Sequence, residues 1–439
     1  MHSPTLIALT TLVSTCTASP FPWTSRSEPP TYGSIPPNPP KGHWIDTWTT
    51  MPQLTEPANL PQPPFNQTDL IFSNSTIRQA LRMTIPAQLI RIRLSNAFGG
   101  ADLPITKATI ALPGAERGQN ITGSSGIQPE TPQIVTFGGN ESITIPPGAL
   151  AVSNPLNFRI NPGQLISVSL YLRSGQASNS ITSHPGIRAV IWFSHGDYTS
   201  SANMTDPSTN QTQHWYFVSA VEAWQAPRYR AFVVVGDSIT DGRGSYVNTN
   251  SQWPNLLFNR LQESKSKSLK SISVLNQGAG GNRVLNDGLG PSALERIDRD
   301  VLAHSGVGYA MLFLGVNDIG TADPTLANQT NVGDRLIQAY KQITTRVHTA
   351  RIPIFGATIT PFGEETRLRV NDWIRNSGTF DAVVDFDAVL RDPRNSTQLA
   401  PWFDSGDCLH LNPAGYQEMA AEFPVDIFER FEGGVGGFM

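Results

Sequence analysis

Two patterns of apolar and polar residues divide this chain into parts with different predicted structures. From residue 44 to about residue 198, apolar and polar residues alternate in short runs, as in residues 90–94 and 165–171. Alternation with a period of two is typical of β-strands with one buried face. Turn sequences such as Pro146-Pro147-Gly148 separate the runs, and no segment of helical period interrupts them. The pattern predicts an all-β domain of the β-sandwich or jelly-roll type over residues 43–200.

The second pattern predicts an α/β domain over residues 228–432. Short apolar runs alternate there with segments of helical spacing, and the runs cover residues 231–235, 272–275, 309–314, 352–357 and 382–386. Strand and helix in alternation indicate a parallel sheet with helices on both faces. Asn412 followed by Pro413 predicts the start of the last helix, since an N-cap and a proline at N1 are typical there. Residues 201–227 predict a connecting segment with one strand at 215–221, and residues 433–439 predict a flexible tail.

The N-terminal residues and the glycosylation triplets predict export. Residues 6–13 are mostly apolar, and Cys16-Thr17-Ala18 supplies small residues before a cleavage site, so residues 1–18 are predicted to be a signal peptide. Residues 19–42 are rich in proline and predict an extended linker. The expected location is therefore secreted and extracellular. Eight N-x-S/T triplets agree with this expectation, and their asparagines are Asn66, Asn74, Asn120, Asn140, Asn203, Asn210, Asn328 and Asn395.

Composition limits the classes of partner. The net charge is −4 at pH 7 and no basic cluster is present, which argues against a nucleic acid. No run after the signal approaches the ~20 apolar residues that a membrane span requires. Cys408 would be the one cysteine left after signal removal, so no internal disulfide is expected, and its neighbours favour a packed spacer. Neither zinc-ligand spacing nor a complete dinucleotide fingerprint occurs. We expect a soluble monomer that uses no metal and no cofactor.

Polar residues follow the predicted strands of the α/β domain. Ser238 comes directly after the first strand, a glycine-rich loop at 276–282 follows the second, and Asn317 follows the third. Because the carboxyl ends of parallel strands meet at one edge of a sheet, we expect these segments to converge there. A serine nucleophile needs a base within hydrogen-bond reach. Of the eight histidines, only His410 has a carboxylate, Asp407, three residues before it in a loop that can reach this edge. Such a carboxylate can orient the imidazole.

The same edge offers donors for an oxyanion. Acyl transfer needs preorganised N–H groups around the developing negative charge. The backbone N–H of Gly281 can approach a substrate closely, and Asn317 offers side-chain N–H groups. Each residue alone fits a tight turn or a helix cap, whereas their order along one edge favours a catalytic site. Gly280 is an alternative donor, and Asp404 is an alternative acid for the histidine.

Together these blocks resemble those of the SGNH (GDSL-type) esterases and lipases over residues 230–430. The resemblance implies a flavodoxin-like three-layer α/β/α fold with Ser238 as the nucleophile. It also implies an oxyanion hole formed by the Ser238 N–H, Gly281 and Asn317, and a triad completed by Asp407 and His410. The β-rich first domain resembles that of two-domain secreted members, some of which are associated with xylan deacetylation.

The sequence therefore predicts a secreted serine carboxylic-ester hydrolase that removes acetyl or other short acyl groups from carbohydrate. Its partner would be a small-molecule or polysaccharide ester. A lipase or cutinase-like acylhydrolase is the alternative within the same class. A carbohydrate-binding protein with an inactive hydrolase domain is the alternative from another class. The β-domain could also serve only to shield or rigidify the edge that carries Ser238.

Overall fold

The computed structural model describes residues 41–114, 121–363 and 365–436. The predicted signal peptide, residues 19–40 of the predicted linker, Asn120 and the last three residues of the predicted tail lie outside the described residues. Within the described ranges, no helix combines the length and apolar character needed to cross a membrane.

The N-terminal part consists of antiparallel strands. In chain order they are β1 His43–Thr49, β2 Gln53–Leu54, β3 Asn66–Gln67, β4 Leu70–Ile71, β5 Ser75–Arg82, β6 Ala87–Ser95, β7 Leu103–Ile105, β8 Lys107–Ala111, β9 Gln133–Val135, β10 Ile143–Ile145, β11 Leu150–Val152, β12 Leu156–Ile160, β13 Leu165–Leu172, β14 Thr182–Pro185, β15 Ile191–His195, β16 Asn210–Thr212, β17 His214–Tyr216 and β18 Val218–Gln225. One sheet has the order β1-β18-β6-β11 with β12 also on β6, and another has the order β16-β15-β5-β13-β8-β9. A β-rich N-terminal part is therefore confirmed, while its assignment as a sandwich stays a prediction.

Two local expectations for this part are wrong. The single strand expected at 215–221 is two strands, because Phe217 adopts a left-handed conformation with φ of 64° between β17 and β18. β18 then pairs with both β1 and β6, so the expected connecting segment supplies a central strand of a sheet. The second expectation concerns β13, whose alternating sequence predicts one buried face. The strand is instead buried at all eight positions. Its polar face is covered because the buried Arg78 donates to Ser169 Oγ at 3.0 Å and to the carbonyl of Ser201 at 2.9 Å.

The C-terminal part contains a parallel sheet of five strands. These are β19 Arg230–Gly236, β20 Ile272–Gly278, β21 Val307–Phe313, β22 Ile354–Ala357 and β23 Ala382–Val384. Their order is β20-β19-β21-β22-β23, the doubly wound order whose switch point lies between β19 and its neighbour β21. Residues of β19 contribute alternately to two separate hydrophobic cores, one on each face of the sheet. Burial on both faces explains why the strand sequence is a continuous apolar run.

Helices cover this sheet and connect its strands. They are α1 Ser238–Asp241, α2 Trp253–Glu263, α3 Ala293–Ile297, α4 Val316–Gly320, α5 Leu326–Thr349, α6 Glu365–Asn376, α7 Phe386–Leu390, α8 Pro413–Glu422 and α9 Asp426–Arg430, with a short hairpin of β24 Arg391–Asp392 and β25 Asn395–Leu399 before α8. Single turns of other helix types lie at Pro57–Asn59, Leu269–Ser271 and Asp298–Leu302. The predicted start of α8 is confirmed, since the Asn412 side chain accepts from the Gly415 N–H and Pro413 opens the helix.

Strand β1 joins the two parts through buried polar contacts. Ser273 Oγ, on β20, donates to the Asp46 carbonyl at 2.6 Å. The Asp46 side chain contacts His304 Nδ1 at 2.7 Å and accepts from the Ser305 N–H at 3.0 Å. A Cβ on Gly306 would lie 2.8 Å from the Ile45 side chain, so glycine is required for this close approach. Because buried polar groups need partners, this seam fixes how the N-terminal strands meet the edge of the parallel sheet.

Candidate active site

Ser238 lies at the turn where β19 ends and α1 begins. The Asp237 side chain accepts from the Ile239 N–H at 2.9 Å, which makes Asp237 the N-cap of α1 and Ser238 its first residue. A Cβ on Gly236 would lie 2.1 Å from Thr240 Oγ1, so this tight turn requires a glycine. The result is a serine that is buried except toward a cleft at the carboxyl edge of the sheet.

A hydrogen-bonded series connects Ser238 to His410 and Asp407. The distance from Ser238 Oγ to His410 Nε2 is 2.7 Å, and that from His410 Nδ1 to Asp407 Oδ2 is 2.6 Å. Asp407 Oδ1 also accepts from the backbone N–H groups of Leu409 and His410, at 3.2 and 2.8 Å. The carboxylate therefore fixes both the turn that carries the imidazole and the orientation of the ring.

The electrostatic environment leaves His410 able to accept a proton. Burial lowers the pKa of His410 below its ordinary value, the hydrogen bond that the ring donates to Asp407 opposes this effect, and the positive charges of Arg243 and Arg188 lower the pKa further. Burial alone would raise the pKa of Asp407, but hydrogen bonds from the backbone and ring of His410 outweigh it and lower this pKa to about 2. At neutral pH the pair is thus a neutral imidazole beside a carboxylate.

Both expected oxyanion segments reach the same cleft. Gly280, Gly281 and Asn317 line it together with Ser238 and His410. Gly281 has φ of 68°, which favours glycine, and a Cβ there would lie 2.8 Å from the Leu289 side chain. Among the residues that the structure describes, no acceptor is recorded for the backbone N–H groups of Ser238, Gly280 or Gly281. Each can therefore donate to a bound substrate, and the choice between the two glycines stays open.

The Asn317 amide is held by the glycine-rich loop. Asn317 Nδ2 donates to the Asn282 carbonyl at 3.0 Å, which leaves one amide hydrogen for the cleft. The next residue, Asp318, accepts from the backbone N–H groups of Val284 and Leu285, at 2.8 and 2.9 Å. Burial raises the pKa of Asp318 to about 6. The loop after β20 and the start of α4 are therefore bound to each other.

A buried arginine that the sequence analysis did not single out connects these segments. Arg296 donates to the carbonyls of Gly236 and Gln277 at 3.1 and 2.9 Å, and to Asn282 Oδ1 at 3.0 Å from Nη2. It also pairs with Asp300 at 3.0 Å. The side chain thus ties the ends of β19 and β20 to the glycine-rich loop. Only its helical position was visible in the sequence, because the acceptors come from three separate segments.

The N-terminal part forms one wall of the cleft, which the sequence analysis also missed. The residues that it contributes are Gln53, Glu56, Asn59, Pro185, Gly186, Arg188 and His214. His184 lies just behind this wall, with Nε2 3.0 Å from Asp241 Oδ1 and Nδ1 2.8 Å from the Met51 carbonyl. His184 precedes Asp241 by 57 residues in the chain. Only the tertiary structure brings it to α1.

Two neighbours of His410 have other roles. Asp404, the alternative acid, accepts from the backbone N–H groups of Gly406 and Cys408, at 2.8 and 3.1 Å, and so stabilises the loop. Its recorded partners do not include His410. Cys408 was expected to be packed, but it is exposed with φ of 60°. Asp404 and Asp407 raise the pKa of the Cys408 thiol, which disfavours the thiolate.

Most of the predicted glycosylation sites lie on the surface. Asn66 is half-buried, whereas the other described acceptors are exposed, namely Asn74, Asn140, Asn203, Asn210, Asn328 and Asn395. Exposure is a requirement for modification, and the modification itself stays a prediction.

The parallel sheet and the cleft at its carboxyl edge define an α/β domain of the doubly wound type. Residues 232–423 match the model of the GDSL-like Lipase/Acylhydrolase family. The chain therefore carries the domain of a GDSL-type carboxylic-ester hydrolase, and its C-terminal part has the corresponding α/β fold.

Several solved structures are similar to parts of the chain. A G-D-S-L family protein from Desulfitobacterium hafniense DCB-2 is 23% identical, with 44% of this chain and 96% of that chain covered and a TM-score of 0.35. An acetyl xylan esterase is 18% identical, with 44% and 96% covered and a TM-score of 0.32. A carbohydrate acetylesterase from Sinorhizobium meliloti is 10% identical, with 46% and 99% covered and a TM-score of 0.35. No curated protein matches the chain.

Proposed function

We propose that the protein hydrolyses short-chain carboxylic esters with Ser238 as nucleophile, His410 as general base and acid, and Asp407 as the acid of the triad. The observation that carries this proposal is the series of two hydrogen bonds, 2.7 and 2.6 Å long, that ends on a serine facing the cleft. A serine hydroxyl is weakly nucleophilic unless such a base takes its proton.

The steps follow from the positions of these atoms. Ser238 Oγ attacks the ester carbonyl while His410 Nε2 takes the hydroxyl proton. The carbonyl oxygen becomes an oxyanion, which accepts from the Ser238 N–H, from Gly281 or Gly280, and from the Asn317 amide. The intermediate collapses, His410 protonates the leaving alcohol, and the acyl group remains on Ser238. Water then attacks this acyl-enzyme by the same route, which releases the acid and restores the serine.

The lining of the cleft supports a short acyl group and a polar alcohol. The cleft has a volume of about 450 Å³, and most residues around Ser238 are polar or charged. Its apolar side chains are those of Leu289, Leu409 and Pro185. A long acyl chain needs an extended apolar surface, whereas amide, guanidinium and imidazole groups suit sugar hydroxyls. We therefore favour an acetylated carbohydrate over a lipid, and we retain a lipase or cutinase-like activity as the alternative.

Export and domain limits complete the proposal. We propose that residues 1–18 are removed as a signal peptide and that the protein acts outside the cell as a glycosylated monomer. We also propose that the N-terminal strands form a β-sandwich beside the hydrolase domain. Treatment of the secreted protein with an N-glycosidase, followed by intact-mass measurement, tests the export and glycosylation proposal. An unprocessed N-terminus would contradict it.

The catalytic proposal is tested with a series of p-nitrophenyl esters from acetate to palmitate. The wild type should turn over acetate and butyrate faster than palmitate, because few of the residues that line the described cleft carry large apolar side chains. Ser238→Ala should abolish turnover, and Ser142→Ala, the same substitution at an exposed position outside the cleft, is the matched control. Full activity of folded Ser238→Ala would refute the nucleophile. A wild type that binds acetylated saccharide without hydrolysing any ester would favour the carbohydrate-binding alternative.

A further inference from the structure

Two arginines in the catalytic cleft have no ion-pair partner among the described residues. Arg188, from the N-terminal part, and Arg243, directly after α1, both line the cleft beside Ser238 and His410. Among the described residues, neither guanidinium has a recorded ion pair or hydrogen-bond acceptor, and Arg188 Nε is a buried atom without a partner. Arg188 is half-buried and Arg243 is exposed. A donor that is buried without an acceptor, as Arg188 Nε is, is costly.

The carboxylates around the cleft are already engaged. Asp407 contacts His410, and Asp241 contacts His184. Glu56 accepts from Gln53 Nε2 at 2.8 Å and, through its other oxygen, from Asn59 Nδ2 at 2.9 Å. Both carboxylate oxygens of Glu56 therefore already accept from side-chain amides. The negative charge of Glu56 offsets part of the positive charge of the arginines, but its carboxylate makes no paired hydrogen bonds with a guanidinium.

The remaining titratable group of this wall is His214. Burial lowers the pKa of His214, which makes the ring neutral at pH 7. Arg188 and Arg243 are thus the cationic groups of the described cleft that lack a carboxylate partner. Their positive charges reach the catalytic histidine, whose pKa they lower. A ligand with negative charge would compensate both guanidiniums at the position where substrate binds.

The backbone at Arg188 is held in an uncommon conformation. Arg188 has φ of 53°, a region that residues other than glycine seldom adopt. Its carbonyl accepts from the Asn248 N–H at 2.8 Å, and the Val190 N–H donates to Asn248 Oδ1 at 2.8 Å. The loop after α1 therefore holds the arginine turn on both sides. Local strain that the surroundings maintain is typical of binding sites.

We propose that Arg188 and Arg243 form a carboxylate-binding subsite, so that the preferred substrates are short-chain esters of acidic saccharides, in which the acylated sugar is a uronic acid. This inference rests on the proposed ester hydrolysis at Ser238. The carboxylate is assigned to the saccharide because Arg188 shares its wall with Asn59, Gln53 and His214, which suit sugar hydroxyls.

Two substrates that differ by one carboxylate test this proposal. The measured quantity is the ratio of kcat/KM for acetylated methyl glucuronide to kcat/KM for acetylated methyl glucoside. It should exceed 1 in the wild type. Arg188→Gln and Arg243→Gln should each lower it by about 10- to 100-fold, the value of one charge-assisted hydrogen bond. Arg188→Lys should retain part of the ratio, and Arg335→Gln, the same charge change on an exposed part of α5, should retain all of it.

A second pair locates the charge, and a binding measurement separates the subsite from catalysis. If the arginine variants change only the ratio of p-nitrophenyl hemisuccinate to p-nitrophenyl butyrate, the carboxylate lies on the acyl part and the acidic-saccharide assignment is wrong.

Calorimetry with Ser238→Ala should show tighter binding of glucuronate than of glucose, and Arg188→Gln should remove the difference. Equal binding would overturn the subsite. An inactive wild type that still prefers glucuronate would overturn the hydrolytic proposal alone.

Discussion

Replacing Arg296 with lysine perturbs the group that holds the oxyanion segments together. The buried guanidinium donates to Gly236, Gln277 and Asn282 and pairs with Asp300. Lysine keeps the charge and can satisfy Asp300, but a single ammonium cannot reproduce the planar fork. At least two of the other acceptors would then lose their donor.

The magnitude follows from the hydrogen bonds that are lost. An unsatisfied buried acceptor costs about 1–3 kcal/mol, so two of them should lower the free energy of unfolding by about 2–6 kcal/mol. The catalytic effect is separate. The Asn282 carbonyl accepts a hydrogen bond from the Asn317 amide. A shift of the glycine-rich loop would therefore misplace both the Asn317 amide and the backbone N–H of Gly281 or Gly280. A displacement of about 1 Å can cost on the order of 10²-fold in rate. We expect kcat to fall by about 10- to 100-fold, with KM changed less because the oxyanion forms only in the transition state.

The assay combines steady-state kinetics on p-nitrophenyl acetate with urea unfolding of the same preparations. Arg299→Lys is the matched control, because Arg299 also pairs with Asp300 but is part-exposed and makes no recorded bond to Asn282 in the described structure. It should lose stability slightly and keep kcat. If Arg296→Lys is folded and keeps the wild-type kcat, the arginine is only structural and the positioning argument is refuted.

Four further outcomes test other parts of the site. Asn317→Ala should lower kcat on p-nitrophenyl acetate by about 10²–10³-fold, the effect of one oxyanion donor; a fall below threefold would exclude it from that role. Since neutral His410 is the base and burial lowers its pKa, kcat/KM should be lost only as the pH falls below about 6.5. Asp407→Asn should lower kcat on the order of 10³–10⁴-fold at every pH, and a small loss would indicate orientation by the backbone alone. His184→Leu leaves the Asp241 carboxylate buried without its partner and should cost about 3–5 kcal/mol in urea unfolding; a change within about 0.5 kcal/mol would contradict that contact.

The parallel sheet was predictable because its strands are buried on both faces. A strand that is apolar at every position is easily distinguished from a helix, whose apolar residues recur with a period of 3.6. Right-handed crossover connections then leave few possible strand orders for the sheet. Ser238, Asn317 and His410 follow from the same logic, since each comes after a strand and the carboxyl edge collects them. Gly236 and Asp237 add local geometry that a short motif encodes, namely a tight turn and an N-cap.

The antiparallel part was less predictable because its pairing depends on residues far apart in the chain. β18 lies between β1 and β6, which are separated from it by more than a hundred residues in the chain. The polar composition of its own segment therefore predicted only a connecting segment. Arg296 and Arg78 were also missed. A buried arginine is recognised by its acceptors, and here these are carbonyls whose positions depend on the folded chain.

The contacts of α1 bear on what the β-rich part contributes to catalysis. Asp241 ends the four-residue helix that begins with Ser238, and its carboxylate contacts His184 of β14. Both ring nitrogens of His184 face acceptors, namely the Met51 carbonyl and the Asp241 carboxylate. The same part supplies Arg188 to the cleft. A domain that only shielded the edge would need none of these contacts. Because the helix of the proposed nucleophile and one wall of its cleft contact the N-terminal strands, we expect the two parts to act together in catalysis.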